Sequence, residues 1–171
     1  MNDHRVIAID LAKTVFQVCV FDKHMKVLSN KSTRRTALLR FLAKQSPALV
    51  ALEACGSSHY WGRKALSFGH RVAIIPPKQV TPYRQCHKTD GNDALAIGIA
   101  SQRSRIKTVG VKTREQQSLQ SDKRVQEHLS DHLTATGNLL RALVAEFGIV
   151  LPQGIAAFRR TLPSIFEMAD H

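Results

Sequence analysis

Three β-rich segments follow one another at the start of the chain, joined by turns too short to hold a helix. Arg5–Ala12 (RVIAIDLA) is apolar and β-branched and ends near an acid, and Val15–Phe21 (VFQVCVF) is similarly β-rich. Asp22-Lys23-His24 supplies a turn, after which Met25–Asn30 (MKVLSN) returns as a third strand. This spacing predicts an antiparallel meander.

Beyond Asn30 the period changes from strand to alternating helix and strand. Leu38, Leu39, Phe41 and Leu42 form a helical stripe within Thr33–Gln45, with Arg34, Arg35, Arg40 and Lys44 elsewhere on the helix and Pro47 closing it. Ala48–Ala54 reads as a buried strand that also ends near an acid, Glu53. Gly56-Ser57-Ser58 opens a helix that runs to Phe68 and stops at Gly69. Arg71–Ile75 is a strand halted by Pro76-Pro77, and a basic loop follows to Lys88. Asp90–Arg103 reads as a helix capped by Thr89 or Asp90, and Lys107–Val111 as a weak strand. From Arg114 to Phe147, Leu129, Leu133, Leu139, Leu140, Leu143 and Val144 fall at helical spacing. That stripe is too thin for a full core face, which predicts packing on a partner chain or another domain. The tail from Ile149 to His171 holds Pro152, Gly154 and Pro163 and ends without a recognisable stop, as the expected start of a further C-terminal region. The order β-β-β-α-β-α-β-α predicts the α/β class, with a ribonuclease-H-like mixed sheet, helices on its faces and a helical extension behind it. The expected division is a domain over 1–110, a helical linker over 111–148 and a tail over 149–171.

Composition narrows the function classes. A hydrophobic fraction of 43% supports a buried core, and there is neither a membrane-length apolar run nor a signal peptide. Three scattered cysteines form no disulfide framework and no C-x-x-C pair, so a reducing cytoplasm is the expected setting. Residues 1–113 carry 19 Lys and Arg against 6 Asp and Glu, whereas residues 114–171 carry 6 against 7. A first half this basic points to a polyanion, because each neutralised phosphate releases condensed counterions. The plainer reading, a solvated basic surface, is weaker.

The few acids of that half sit in unusual places. Asp3 and Asp22 lie at a terminus and a turn. Asp10 and Glu53 interrupt apolar strands, where an ionised carboxylate is unfavourable unless paired or metal-bound. Asp90 and Asp93 stand three apart at a helix start and share a face. Adjacent strand ends and a helix N-terminus can gather all four at one edge of the sheet, where divalent ions would offset their repulsion and clamp a phosphoryl group in transfer. Each acid also has a simple alternative. Asp10 can cap a turn, Glu53 can pair with Lys13 or Arg63, Asp90 can be an N-cap, and Asp93 can favour the helix dipole.

These segments together resemble the DEDD transposases of bacterial insertion sequences, the group that includes the Piv-type DNA invertases. The resemblance lies in AIDLAK at 8–13, LEACGSSHYW at 52–61 and KTDGNDA at 88–94. GHRVAIIPPKQVTPY at 69–83 agrees too, and QQSLQ and NLLRALVAEFG are similar to the family's helical linker, so the match spans about residues 5–150. It implies a RuvC-like domain in which Asp10, Glu53, Asp90 and Asp93 bind Mg²⁺ (or Mn²⁺) at the site of DNA cleavage and joining. It also implies a structured guide RNA as a partner and a C-terminal domain with a nucleophilic serine. No serine block here matches that nucleophile, so the chain alone is expected not to complete transposition. Ala8, where the family often has Gly, and the polar SDKRVQEHLS at 121–130 depart from the pattern.

Lys13, Lys78, Tyr83, Arg84 and Lys88 are the candidates for nucleic-acid contact, the last four with His87 in a loop stiffened by Pro76, Pro77 and Pro82. Trp61 reads as core, and His59 stays open. Cys55 and Cys86 have no zinc spacing, and no Walker loop or G-x-G-x-x-G occurs. The leading expectation is the metal-binding domain of a DNA transposase or recombinase that forms a homo-oligomer through its helical segment. The alternatives are a non-catalytic DNA- or RNA-binding module and a Holliday-junction nuclease.

Overall fold

The computed structural model describes residues 5–84 and 89–169. The chain forms two compact units, Met1–Thr113 and Arg114–His171.

The first unit is built on a five-stranded mixed sheet. Its strands are β1 (Val6–Asp10), β2 (Val15–Phe21), β3 (Val27–Arg34), β4 (Leu49–Glu53) and β5 (Arg71–Ile75), in the spatial order β3-β2-β1-β4-β5. β1 to β3 are antiparallel, and β4 and β5 run parallel to β1. This is the ribonuclease-H-like order read from the sequence. β1 is covered on both faces, so VIAI is a continuous apolar run rather than an alternation. β3 is the edge, and its sequence VLSNKSTR is largely exposed and polar, with Lys31 and Arg34 discouraging further pairing. It extends four residues beyond the expected Asn30, because β2 pairs with it as far as Arg34. In the preceding turn, Asp22 Oδ1 accepts the N–H groups of His24 and Lys26, and Met25 takes a φ of 64°.

Alternation along each strand sorts the core into two layers. Ile7, Ile9, Phe16, Val18, Val50, Leu52 and Ile74 face α1 (Arg35–Lys44) and α2 (Ser58–Ser67), which contribute Leu38, Leu42, Trp61 and Ala65. Val6, Ala8, Cys19, Phe21, Ala51 and Ile75 face the other way. There they meet Val80 of the short α3 (Pro77–Val80) and Ala94, Ala96, Ile97 and Ala100 of α4 (Asp90–Ser101). Gly98 lets α4 approach, since a Cβ there would run into the Phe21 ring. Thr89, not Asp90, caps α4, its hydroxyl accepting the Asn92 N–H at 3.3 Å. The expected strand at Lys107–Val111 is a single bridge, Val109 to Ile74, and Val111 then packs on the Gly62 backbone of α2.

The second unit is two helices, α5 (Arg114–Ala145) and α6 (Ile155–Ala169). None of the residues of α5 is buried, in line with its thin apolar stripe. α6 lies in the tail, to which the sequence reading assigned no element. The helix forms across Pro163 and starts directly after Gly154, which takes a φ of 85°. Arg141 of α5 donates to the Pro152 carbonyl and lies over the Phe158 ring of α6.

Candidate active site

The residue alternation that builds the core also aims the acids. Ile9 and Leu52 are partners across the parallel β1–β4 pair, so Asp10 and Glu53 stand next in register at the adjoining C-terminal strand ends. Both share the parity of Ala8 and Ala51, which puts them on the α4 side of the sheet. Asp93 sits in the first turn of α4, 8% exposed, and Asp90 opens the helix at the surface.

The four carboxylates share one electrostatic neighbourhood. The Asp10 carboxyl is held above its ordinary value, first by burial and then by the negative charges of Asp93, Glu53 and Asp90, with Arg84 acting against them. Arg84 follows a 3-10 turn at Thr81–Tyr83 and reaches inward to two of the acids. Its Nη2 donates to Glu53 Oε2 at 2.9 Å and Oε1 at 3.2 Å. Its Nε lies 2.9 Å from Asp93 Oδ1, and both atoms are buried without an aligned hydrogen bond. This last contact is a close ion pair with poor direction. Glu53 is therefore paired with Arg84, and not with Lys13 or Arg63. Arg63 instead donates to the Lys112 carbonyl at 2.8 Å.

Other candidates lie further from the chemistry. Lys13 and Lys78 are exposed. Tyr83 packs against the α4-side core, with the Arg103 guanidinium 5.8 Å from its ring centre. Lys88, His87 and Cys86 lie outside the described residues. Trp61 is core, edge-on to Phe16 at 5.1 Å. His59 accepts the Lys112 N–H through Nδ1, and burial lowers its pKa.

A polar network beside the acids escaped the sequence reading. Gln17 is the β2 partner of Asp10. Gln17 Nε2 donates to Asn30 Oδ1 at 2.7 Å, Ser32 Oγ donates to Gln17 Oε1 at 2.8 Å, and Asn30 Nδ2 donates to the Gly91 carbonyl at 2.9 Å. The network ties the edge of the sheet to the first turn of α4, between Asp90 and Asp93. Its one local signal was Gln17, a polar residue flanked by Phe16 and Val18.

Oxygen-only donors of this kind suit a hard divalent cation, and the buried, poorly directed Asp93 Oδ1 supplies a ready ligand atom. As they stand, no three Asp, Glu, His or Cys side chains among the described residues are gathered tightly enough to hold one. Arg84 fills the space between Glu53 and Asp93 instead.

A mixed sheet of this order, with carboxylates at the ends of β1 and β4 and on α4, defines the ribonuclease-H-like class of domains. Within that class, the transposase family model of the IS110-type DEDD proteins matches residues 7–149, and the chain belongs to that family. It is 43% identical over 144 residues to a probable family 20 transposase of Pseudomonas aeruginosa, a match covering 84% of this chain and 43% of that one. It is 34% identical over 165 residues to the transposase for insertion sequence element IS1111A of Coxiella burnetii, covering 96% and 45% of the two chains. The transposase for insertion sequence element IS1328 of Yersinia enterocolitica is 35% identical over 173 residues, covering 100% and 52%. The chain thus spans about half the length of the curated relatives it matches. Among solved structures, T. thermophilus RuvC in complex with Holliday junction substrate aligns at a TM-score of 0.45 and 16% identity, over 62% of this chain and 99% of that one. Among the described residues, no helix is long and apolar enough to cross a membrane.

Proposed function

We propose that the first unit is the metal-dependent strand-cleaving domain of a DNA transposase, with Asp10, Glu53, Asp90 and Asp93 as its metal ligands. The observation that carries this is that Arg84 joins the buried Asp93 of α4 to Glu53 at the end of β4, next in register to Asp10 at the end of β1. Mg²⁺ or Mn²⁺ would supply Lewis-acid polarisation of the scissile phosphate. The chain's own residues hold the ligands in place. β1 and β4 fix Asp10 and Glu53 side by side, and the Thr89 cap and the Asn30–Gly91 bond fix the turn carrying Asp90 and Asp93. Lys13, Lys78, Tyr83 and Lys88, with Arg84 once freed, are assigned to the DNA backbone. Family membership supports DNA as the substrate. A structured guide RNA and a homo-oligomer formed through α5, whose Leu129, Leu133, Leu140 and Leu143 are exposed, complete the proposal.

One observation favours the non-catalytic binding reading: Arg84 already neutralises part of the cluster. Nicking of supercoiled DNA separates the two. Mg²⁺-dependent nicking by the chain, abolished in Asp10→Ala, is the expected result. Equal DNA retardation by both proteins with no nicking by either would assign the domain to binding alone. Cutting restricted to four-way junctions would make it a junction nuclease.

A further inference from the structure

The proposed metal site contains a cation of its own. We infer that Arg84 is the resident counter-ion of the carboxylate cluster: it holds Glu53 and Asp93 while no divalent ion is bound, and exchanges with one, turning outward to a DNA phosphate. The inference rests on the metal-site reading above and adds a ligand-exchange step to it.

Three features of Arg84 support the exchange. First, it makes the only ion pairs of the four acids among the described residues, reaching Glu53 through Nη2 and Asp93 through Nε, each at 2.9 Å. Arg63, the other arginine considered for Glu53, is held instead by the Lys112 carbonyl. Second, the contact to Asp93 is short but misdirected. Arg84 Nε and Asp93 Oδ1 are both buried and lack an aligned hydrogen bond. Such a pair has lost its hydration without gaining a full replacement, so a better-matched partner displaces it readily. A divalent ion brings twice the charge and needs no N–H aimed at Oδ1. Third, the backbone of Arg84 is anchored while its side chain is partly open to solvent. Its N–H donates to the Thr81 carbonyl at 3.1 Å, its backbone is extended, and its side chain is 31% exposed. The freed guanidinium carries the planar fork that suits a phosphate.

Exchange predicts competition. Mn²⁺ binding to the full chain, read by electron paramagnetic resonance, should tighten about tenfold in Arg84→Gln, a typical size for coupled binding events. Arg84→Lys, which keeps the charge but loses the fork, should fall between the two. Adding Mg²⁺ to the wild type should shift the Arg84 Nε–H resonance and hasten its solvent exchange. Unchanged or weaker Mn²⁺ binding in Arg84→Gln would overturn the exchange, the weaker case making Arg84 an organiser of the carboxylates. If Arg84→Gln does not fold, Arg84→Lys and the Nε–H signal decide in the same way. Asp10→Asn separates the levels: if it binds Mn²⁺ as the wild type does, or if no protein binds it, the metal-site reading fails and the exchange fails with it.

Discussion

The two faces of the sheet are closed by different means. On one, α1 and α2 bring bulk: Trp61, Leu38 and Leu42 fill the space over Phe16, Ile9 and Leu52, and no carboxylate lies among the buried residues of the layer. On the other, α4 brings one fully buried bulky side chain, Ile97, among small ones. Ala94, Ala96, Gly98 and Ala100 let its backbone settle close to Phe21 and Ala8. A helix so close carries its N-terminal acids to the strand ends, which a Leu- or Phe-lined helix would hold further off. One face is built for apolar burial and the other for proximity, and proximity leaves like charges together with Arg84 as their partner.

The largest expected effect tests the bulky face. Trp61→Ala should destabilise the domain by about 3–5 kcal/mol in urea unfolding, the usual loss for a buried large aromatic. Wherever the variant stays folded, its Mn²⁺ affinity should be that of the wild type. A loss below about 1 kcal/mol would mean that this face is not where stability resides. Gly98→Val attacks the other face and should have a smaller effect on stability, about 1–3 kcal/mol from overpacking against Phe21. It should also push α4 outward and weaken Mn²⁺ binding. If it weakens folding alone, closeness of α4 is not what assembles the acids.

The same contrast explains what was legible in the sequence. β1, β2, β4 and β5 were readable because each is an apolar run between turn residues. The acids of β1 and β4 stood out because a carboxylate in such a run needs a reason. β3 past Asn30 was not readable: Lys31–Arg34 have no strand pattern of their own and follow only because β2 pairs with them. α6 was hidden by Pro163, which reads locally as a break. Arg84 was read as a phosphate contact because its basic loop is the local context, whereas its partners lie at Glu53 and Asp93. Asn30 to Gly91, 61 residues apart, is a bond that no periodicity encodes. What pattern could not show was pairing at a distance, and the polar side of the site is made of that.

The smallest effect is the sharpest test of a face built for proximity. Asp10 has its carboxyl raised above the ordinary Asp value of 3.8, by burial first and by Asp93, Glu53 and Asp90 after it. A carboxyl that binds its proton more tightly folded than unfolded opposes folding when ionised. That opposition is complete above the raised value and fades as pH falls through it toward 3.8. Asp10→Asn should therefore raise the Tm of the metal-free protein at neutral pH, and the gain should vanish near the ordinary Asp value. The Trp61→Ala substitution removes no titratable group, so its deficit should stay level across the same window. Mg²⁺ should reverse the order at neutral pH, stabilising the wild type more than Asp10→Asn, because the bound ion turns the repulsion into attraction. If Asp10→Asn instead lowers the metal-free Tm at neutral pH, Asp10 is already compensated by a neighbour, and the two faces differ in bulk but not in charge.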